Sequence, residues 1–225
     1  FQVYKEQFSY DKSPLKALVE STKENPEGWD LETISMDAVY EHERIPAYLF
    51  LPKNAVPPYQ TVIYFPNGDA FSGPSSKDIQ SYYEVPVYVS FMVKSGRAVL
   101  FPVYKGTFER GNLALSAFLS DTASCNTRQY TELVVKMIKD FKRCVDYLET
   151  RQDIDNKKFG FFGMSLGGIF GSIIAAVDER VKVQVLLGGG LEPWGRPECN
   201  PVNYVTRVKI PTIILIGKYD AVVSY

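Results

Sequence analysis

The sequence predicts an α/β fold: a mostly parallel β-sheet with an antiparallel hairpin at its N-terminal edge and helices on both faces. Three observations carry that expectation. Short apolar, β-branched runs recur at residues 61–65, Val181–Leu187 and 210–216. Segments with a helical apolar stripe lie between them, and Gly- or Pro-containing stretches separate the two kinds. Strands alternating with helices imply right-handed crossovers, hence a largely parallel sheet whose strands are buried on both sides.

The elements follow in order. The first thirty residues are polar, with Pro14 and Pro26 interrupting a short helical pattern over 15–22. They are expected to form an arm (1–30) laid on a single domain spanning 31–225. Residues 31–40 and 45–51 are two strands joined by the polar turn Glu41-His42-Glu43-Arg44, a β-hairpin. Pro52 and the Pro57-Pro58 pair force a loop. A buried strand at 61–65 is stopped by Pro66-Asn67-Gly68-Asp69. A helix is expected within 78–94, kinked at Pro86 and ended by Ser95-Gly96, before another buried strand at 97–103. Residues 104–129 are polar, aromatic and irregular. Val134, Met137, Ile138, Phe141, Val145 and Leu148 then recur at three- and four-residue steps, the clearest helical stripe in the chain. A strand at 158–162, a helix at Leu166–Val177, a strand at Val181–Leu187, a Gly/Pro/Trp-rich loop over 188–203 and a last strand at 210–216 complete the pattern.

Composition narrows the function. At 225 residues the chain holds one large α/β domain or two small ones, and no internal linker argues for two. Its 25 basic and 26 acidic residues give a net charge of −1, which argues against a nucleic-acid partner, since phosphate neutralisation needs clustered Lys and Arg. No apolar run approaches the roughly 20 residues of a membrane span. Cys125, Cys144 and Cys199 are too few and scattered for a disulfide framework or a Cys-rich zinc site. They fit buried thiols, with one disulfide in an oxidising compartment as the alternative. The start at Phe1, without an initiator Met or a leader, suggests a processed or excised piece. The expectation is a soluble chain whose address the sequence leaves open, with the cytoplasm slightly favoured.

One motif carries chemistry. Gly163-Met164-Ser165-Leu166-Gly167 is a G-x-S-x-G pentapeptide set between the strand at 158–162 and the helix Leu166–Val177. That context is what a nucleophile elbow requires. A serine on so tight a turn projects its hydroxyl above the sheet, and glycines two residues to either side remove Cβ atoms that would clash. The helix start offers the Leu166 N–H and a positive dipole to a developing oxyanion. The second amide of such a hole is expected from the turn after the 61–65 strand, at Gly68 or Asp69; an ordinary Asn-Gly turn is the alternative there. Asp220, just after the 210–216 strand, is placed to orient an imidazole; an exposed loop aspartate is its alternative. The only histidine, His42, lies far upstream in the hairpin turn. It is expected to be a solvated turn residue and not a base, because the triad order on such a sheet is Ser, acid, His.

Several stretches together resemble α/β-hydrolases of the dienelactone hydrolase and prolyl oligopeptidase-like esterase group. They are Arg44-Ile-Pro-Ala-Tyr-Leu-Phe-Leu-Pro52, Thr61-Val-Ile-Tyr-Phe-Pro66, Gly96-Arg-Ala-Val-Leu-Phe-Pro102, the elbow at Ser165 and Ile216-Gly-Lys-Tyr-Asp220. The resemblance covers most of 31–220. It implies the α/β-hydrolase fold, a serine hydrolase of small-molecule carboxylic esters, and no metal or organic cofactor. It assigns Ser165 as nucleophile, Leu166 and Gly68 as backbone oxyanion donors and Asp220 as acid. It places a final strand, a histidine loop and a closing helix beyond Tyr225, and it fits a hydrolase module of a larger protein. Two departures stand out: Pro66-Asn67 replaces the usual His-Gly before the oxyanion turn, and the base is absent. A peptidase acting on short peptides and a non-catalytic binding or regulatory module on the same fold are the competing readings.

Residues 104–129 and the 188–204 loop are expected to roof the site, since ligands bind above strand ends in such sheets. Tyr104, Phe108, Phe118 and Trp194 would supply an apolar wall, with ordinary packing as the alternative. Lys105, Arg110 and Arg128 would meet a substrate carboxylate or else be solvated.

Overall fold

Eight strands form one sheet in a computed structural model that describes residues 1–119, 121–192, 195–221 and 223. In chain order the elements are α1 (Gln2–Glu6), β1 (Leu18–Asn25), β2 (Trp29–Asp37), β3 (Arg44–Pro52), β4 (Tyr59–Phe65), α2 (Ser90–Lys94), β5 (Ala98–Pro102), α3 (Leu113–Leu119), α4 (Arg128–Glu149), β6 (Ile154–Met164), α5 (Leu166–Val177), β7 (Val181–Leu187), α6 (Val202–Val205) and β8 (Thr212–Leu215). The strand order is β1-β2-β3-β5-β4-β6-β7-β8. From β5 through β8 every pairing is parallel, whereas β1, β2, β3 and β5 pair antiparallel.

Period-two alternation divides the core between the two faces of this sheet. Ile63, Phe65, Leu100, Phe159 and Phe161 point to one side, where they meet Val134, Met137, Ile138 and Phe141 of α4 and Phe170, Ile173 and Ile174 of α5. Tyr64, Val99, Phe101 and Phe162 point to the other, against Ile79, Val85, Val89 and Val93. Helix α4 begins where the Thr127 hydroxyl accepts the Tyr130 N–H at 3.2 Å, an N-cap, and its apolar stripe faces the sheet as the spacing requires. The hairpin of β2 and β3 closes with Asp37 opposite Arg44.

Four expectations need correction. Residues 15–22 hold no helix: β1 runs from Leu18 and pairs with β2, extending the antiparallel part of the sheet from two strands to three before β5. Its side chains are mostly exposed on both faces, so it lacks the alternation that marks a half-buried strand. The helix expected over 78–94 is divided into a 3₁₀ turn (Ile79–Ser81), a π-helical turn (Val85–Val89) and the short α2. Pro86 has no N–H to continue a regular ladder, and the Ser90 hydroxyl donates to the Pro86 carbonyl at 2.7 Å. Residues 104–129 are less irregular than expected, because α3 lies within them. Finally, the apolar 210–216 run is not buried on both sides. Among the described residues its strand β8 pairs with β7 alone, and Ile213, Ile214 and Leu215 are 44–54 % exposed. Among the described residues no helix is long and apolar enough to cross a membrane.

A buried ion network ties the antiparallel half to the loop after β5. Asp140 of α4, fully buried, accepts from the Tyr40 hydroxyl at 2.6 Å and from the Lys105 N–H at 2.8 Å, and it pairs with Arg110. Arg110 also reaches Glu43 at 3.1 Å, and Lys105 pairs with Glu43 and Glu41. Burial pushes the Asp140 carboxyl up while Arg110 and Tyr40 pull it down. Removing one member of a buried pair strands the other charge. Arg110→Met is therefore expected to destabilise the fold by about 3–5 kcal/mol, measurable as a lowered urea midpoint with an unchanged slope.

Candidate active site

Register in the central sheet brings the elbow and the candidate oxyanion turn side by side. Phe65, the last residue of β4, pairs with Gly163 of β6, so the chain leaves β4 into Pro66-Asn67-Gly68 where β6 turns at Ser165 into α5. Ser165 has φ 51° and ψ −104°, a region a residue with a Cβ occupies only under constraint from its surroundings. The constraint is visible on both sides. Its N–H donates to the Leu187 carbonyl at 2.7 Å, and its own carbonyl accepts the Ile169 N–H at 3.0 Å. A Cβ on Gly163 would lie 2.3 Å from the Gly167 backbone, and one on Gly167 2.3 Å from the Phe65 carbonyl oxygen. Only with glycine at both positions can the helix start so close to two strands.

Ser165 lines a cavity of about 260 Å³ shared with Gly68, Phe71, Ser72, Ser116, Leu119, Leu166 and Ile169. The first amides of α5 have no intrahelical acceptor, and Leu166 is the nearest of them to Ser165 in the chain. Across the cavity Asn67 caps a 3₁₀ turn over Gly68–Phe71: its side-chain oxygen accepts the Asp69 N–H at 2.9 Å. That engages the Asp69 amide, one of the two alternatives expected for the second donor, while Gly68, the other, lines the cavity with Ser165. The turn is braced from outside as well. The Tyr82 hydroxyl donates to the Asn67 side-chain oxygen at 3.1 Å and the Tyr83 hydroxyl to Asp69 at 2.8 Å. Burial beside Asp69 pushes the Tyr83 phenol up to about 12. Behind the turn, the Asn67 N–H donates to Glu84 at 3.2 Å. Glu84 is fully buried, and that burial pushes its carboxyl from 4.5 up to about 7.

The remaining expected site residues separate into groups. Asp220 follows β8, whose Leu215 is in register with Leu187 of β7 and, through it, Met164 of β6. Ser165 and Asp220 thus emerge from the same edge of the sheet, on strands two places apart, about 10 Å by strand spacing. Asp220 is exposed, and its carboxylate accepts the Val223 N–H at 2.9 Å. His42 lines a different cavity with Tyr40, Lys139 and Asp37, away from Ser165.

Tyr104 and Phe108 do not line the cavity. Tyr104 is fully buried, stacked on Phe65 at 3.9 Å between ring centroids, with its hydroxyl on the Tyr64 carbonyl at 3.1 Å. Phe108, with φ 47°, turns its ring back under Tyr82 and Phe101. Trp194 lies outside the described residues. Lys105 and Arg110 are held by carboxylates, and Arg128 pairs with Glu132 on the surface at 2.7 Å. The apolar wall comes instead from Phe71, Leu119 and Ile169, with the Ser72 and Ser116 hydroxyls bonded to each other at 2.9 Å. Leu115, Phe118 and Leu119 recurring at three- and four-residue steps were the available signal for α3.

A model of the dienelactone hydrolase family matches residues 45–225. A Bacillus subtilis protein named as a hydrolase, YtaP, is 27 % identical over 217 residues, covering 95 % of this chain and 67 % of that protein. Among solved structures, a Bacteroides fragilis protein named as an acetyl xylan esterase aligns with TM-score 0.65 at 14 % identity, over 85 % of this chain and 52 % of that one. A cold-adapted esterase from an Arctic intertidal metagenomic library aligns with TM-score 0.68 at 18 % identity, over 94 % and 80 %. The chain thus spans about half the length of the Bacteroides protein, and at these identities the solved structures speak to the fold.

Two consequences are measurable. Gly167→Ala drives a methyl group into the Phe65 backbone and is expected to lose about 1–3 kcal/mol of stability, read from the denaturation midpoint. For Glu84 the sign follows from its raised carboxyl: the folded state favours the neutral form. Stability is then fully present below about pH 4.5, falls as pH rises towards 7, and above 7 carries a penalty on the order of 3 kcal/mol. Glu84→Gln is expected to flatten that slope in urea denaturation measured from pH 4.5 to 8.

Proposed function

The chain belongs to the dienelactone hydrolase family, and on that premise we propose that it hydrolyses carboxylic esters of small molecules through Ser165. The observation that carries this reading is a serine at φ 51°, lining a cavity that also holds Leu166 and Gly68. In this reading the Ser165 hydroxyl oxygen attacks the ester carbonyl carbon. The carbonyl oxygen, becoming an oxyanion, accepts from the Leu166 and Gly68 N–H groups, each donor contributing about 3 kcal/mol to the transition state. Collapse expels the alcohol and leaves an acyl-serine, which water then hydrolyses. A histidine outside residues 1–225 takes the serine proton and returns it to the leaving alcohol, while Asp220 orients that imidazole and stabilises its charged form.

A cavity of about 260 Å³, walled by Phe71, Leu119 and Ile169, suits a short acyl group. The acetyl esterase names among the structural neighbours agree with that size. A second reading, a binding module on the hydrolase fold, is favoured by one observation: the sole histidine, His42, lines a different cavity from Ser165.

A fluorophosphonate probe separates the two. The intact protein is expected to take up one equivalent at Ser165 and to hydrolyse a short-chain aryl ester. Ser165→Ala should abolish labelling and lower turnover by about a million-fold. Absence of labelling, or labelling that survives the substitution, contradicts the esterase reading.

A further inference from the structure

Glu84 sits where a carboxyl costs the fold stability. It is fully buried, and among the described residues no Lys or Arg pairs with it. Its Oε2 atom and the Tyr64 hydroxyl are both buried outside regular hydrogen-bond geometry, and the nearby Tyr64 and Tyr82 hydroxyls offset only part of the cost of burying the carboxyl. The titratable groups around it are Tyr64 from β4, Asp69 from the candidate oxyanion turn, and Tyr82 and Tyr83 just before it in the chain. Asp69 adds to the difficulty of ionising it, and burial is the largest cause. A buried carboxyl without a cationic partner weakens a fold, and an apolar side chain of similar volume would ordinarily do better there.

What Glu84 does hold is the Asn67 N–H, at 3.2 Å. Asn67 in turn caps the turn that carries Gly68, a residue lining the cavity with Ser165, through its side-chain acceptance of the Asp69 N–H. The π-helical turn that starts at Val85 directly follows Glu84 in the chain; such turns cluster at functional sites. Resting on the esterase reading of the site, we propose that Glu84 is a positioning residue: its carboxyl pins the Asn67 backbone from behind and thereby sets the direction of the Gly68 amide. An oxyanion donor displaced by even a fraction of an ångström loses much of its effect, because its contribution depends on preorganisation towards the position the oxyanion will occupy. Glu84 touches no substrate and acts only through the turn.

The test uses the intact protein and two variants. Glu84→Gln retains an oxygen that can accept the Asn67 N–H; Glu84→Met removes it at similar volume. Glu84→Met is expected to lower kcat for a short-chain aryl ester about 10- to 100-fold with KM within about threefold, while its stability at pH 8 equals or exceeds wild type. Glu84→Gln should keep kcat within about threefold. In ¹H–¹⁵N spectra the Asn67 and Gly68 amides should titrate with a midpoint near 7 in the wild type and not in Glu84→Gln. A folded Glu84→Met with wild-type kcat overturns the proposal, as do amides at 67 and 68 that ignore pH. Should Glu84→Met fail to fold, the amide titration and the kcat of Glu84→Gln still decide. If fluorophosphonate leaves Ser165 unlabelled, the esterase reading has failed and the catalytic role of Glu84 with it; the amide titration then shows separately whether the carboxyl holds the turn.

Discussion

The start of α5 is pressed against the ends of β4 and β6 so closely that no Cβ fits at Gly163 or Gly167. That approach has two consequences. It forces Ser165 into a positive-φ conformation, held by hydrogen bonds to Leu187 on one side and Ile169 on the other. It also places the free amides of a helix start beside the turn that leaves β4. The strain is local, and the surrounding packing overcomes it: Ile169, Phe170, Ile173 and Ile174 anchor the helix in the main core. A looser helix would relax the serine.

The opposite half of the sheet does different work. Three antiparallel strands bring the turn at residues 38–43 to the same edge as the ends of β4 and β5, since Ala47 pairs with Pro102. There Tyr40 and Glu43 meet Arg110 and Asp140. The loop after β5 is consequently fixed from below, and Gly106 within it lies against Leu115 and Phe71. Phe71 lines the cavity. The charged residues of this loop therefore support the wall of the site and are not themselves available to a ligand. The dienelactone hydrolase family to which the chain belongs supplies the sheet; the cavity wall and the bracing of the turn after β4 belong to this chain's own residues.

Legibility in the sequence varied with how local the governing physics is. The helix Leu166–Val177 and the strand Val181–Leu187 are legible with the bounds they have, because the glycine-rich turn at 163–168 and the charged Asp178-Glu179-Arg180 mark the helix off from a strand on each side. Strand β1 was missed for the opposite reason: at the sheet's edge its side chains face solvent on both sides, and a polar run such as Ser21-Thr22-Lys23-Glu24 carries no period. Tyr104 and Phe108 were candidates for a pocket wall because aromatic loop residues serve pockets and cores equally well. Stacking on Phe65 claims the first, and a left-handed backbone claims the second. Nothing in the order of residues separates those outcomes.

From the order of residues alone came the α/β architecture, the elbow, and Asp220 at the edge from which Ser165 also emerges, since each depends on spacing along one stretch of chain. The cavity wall formed by Phe71, Ser116 and Leu119, the engagement of the Asp69 amide by Asn67, and the buried carboxyl of Glu84 behind that turn came only with folding. Each of these joins residues from separate stretches of chain or turns on a backbone angle, and burial assigns them their roles after the sheet and its helices have closed around them.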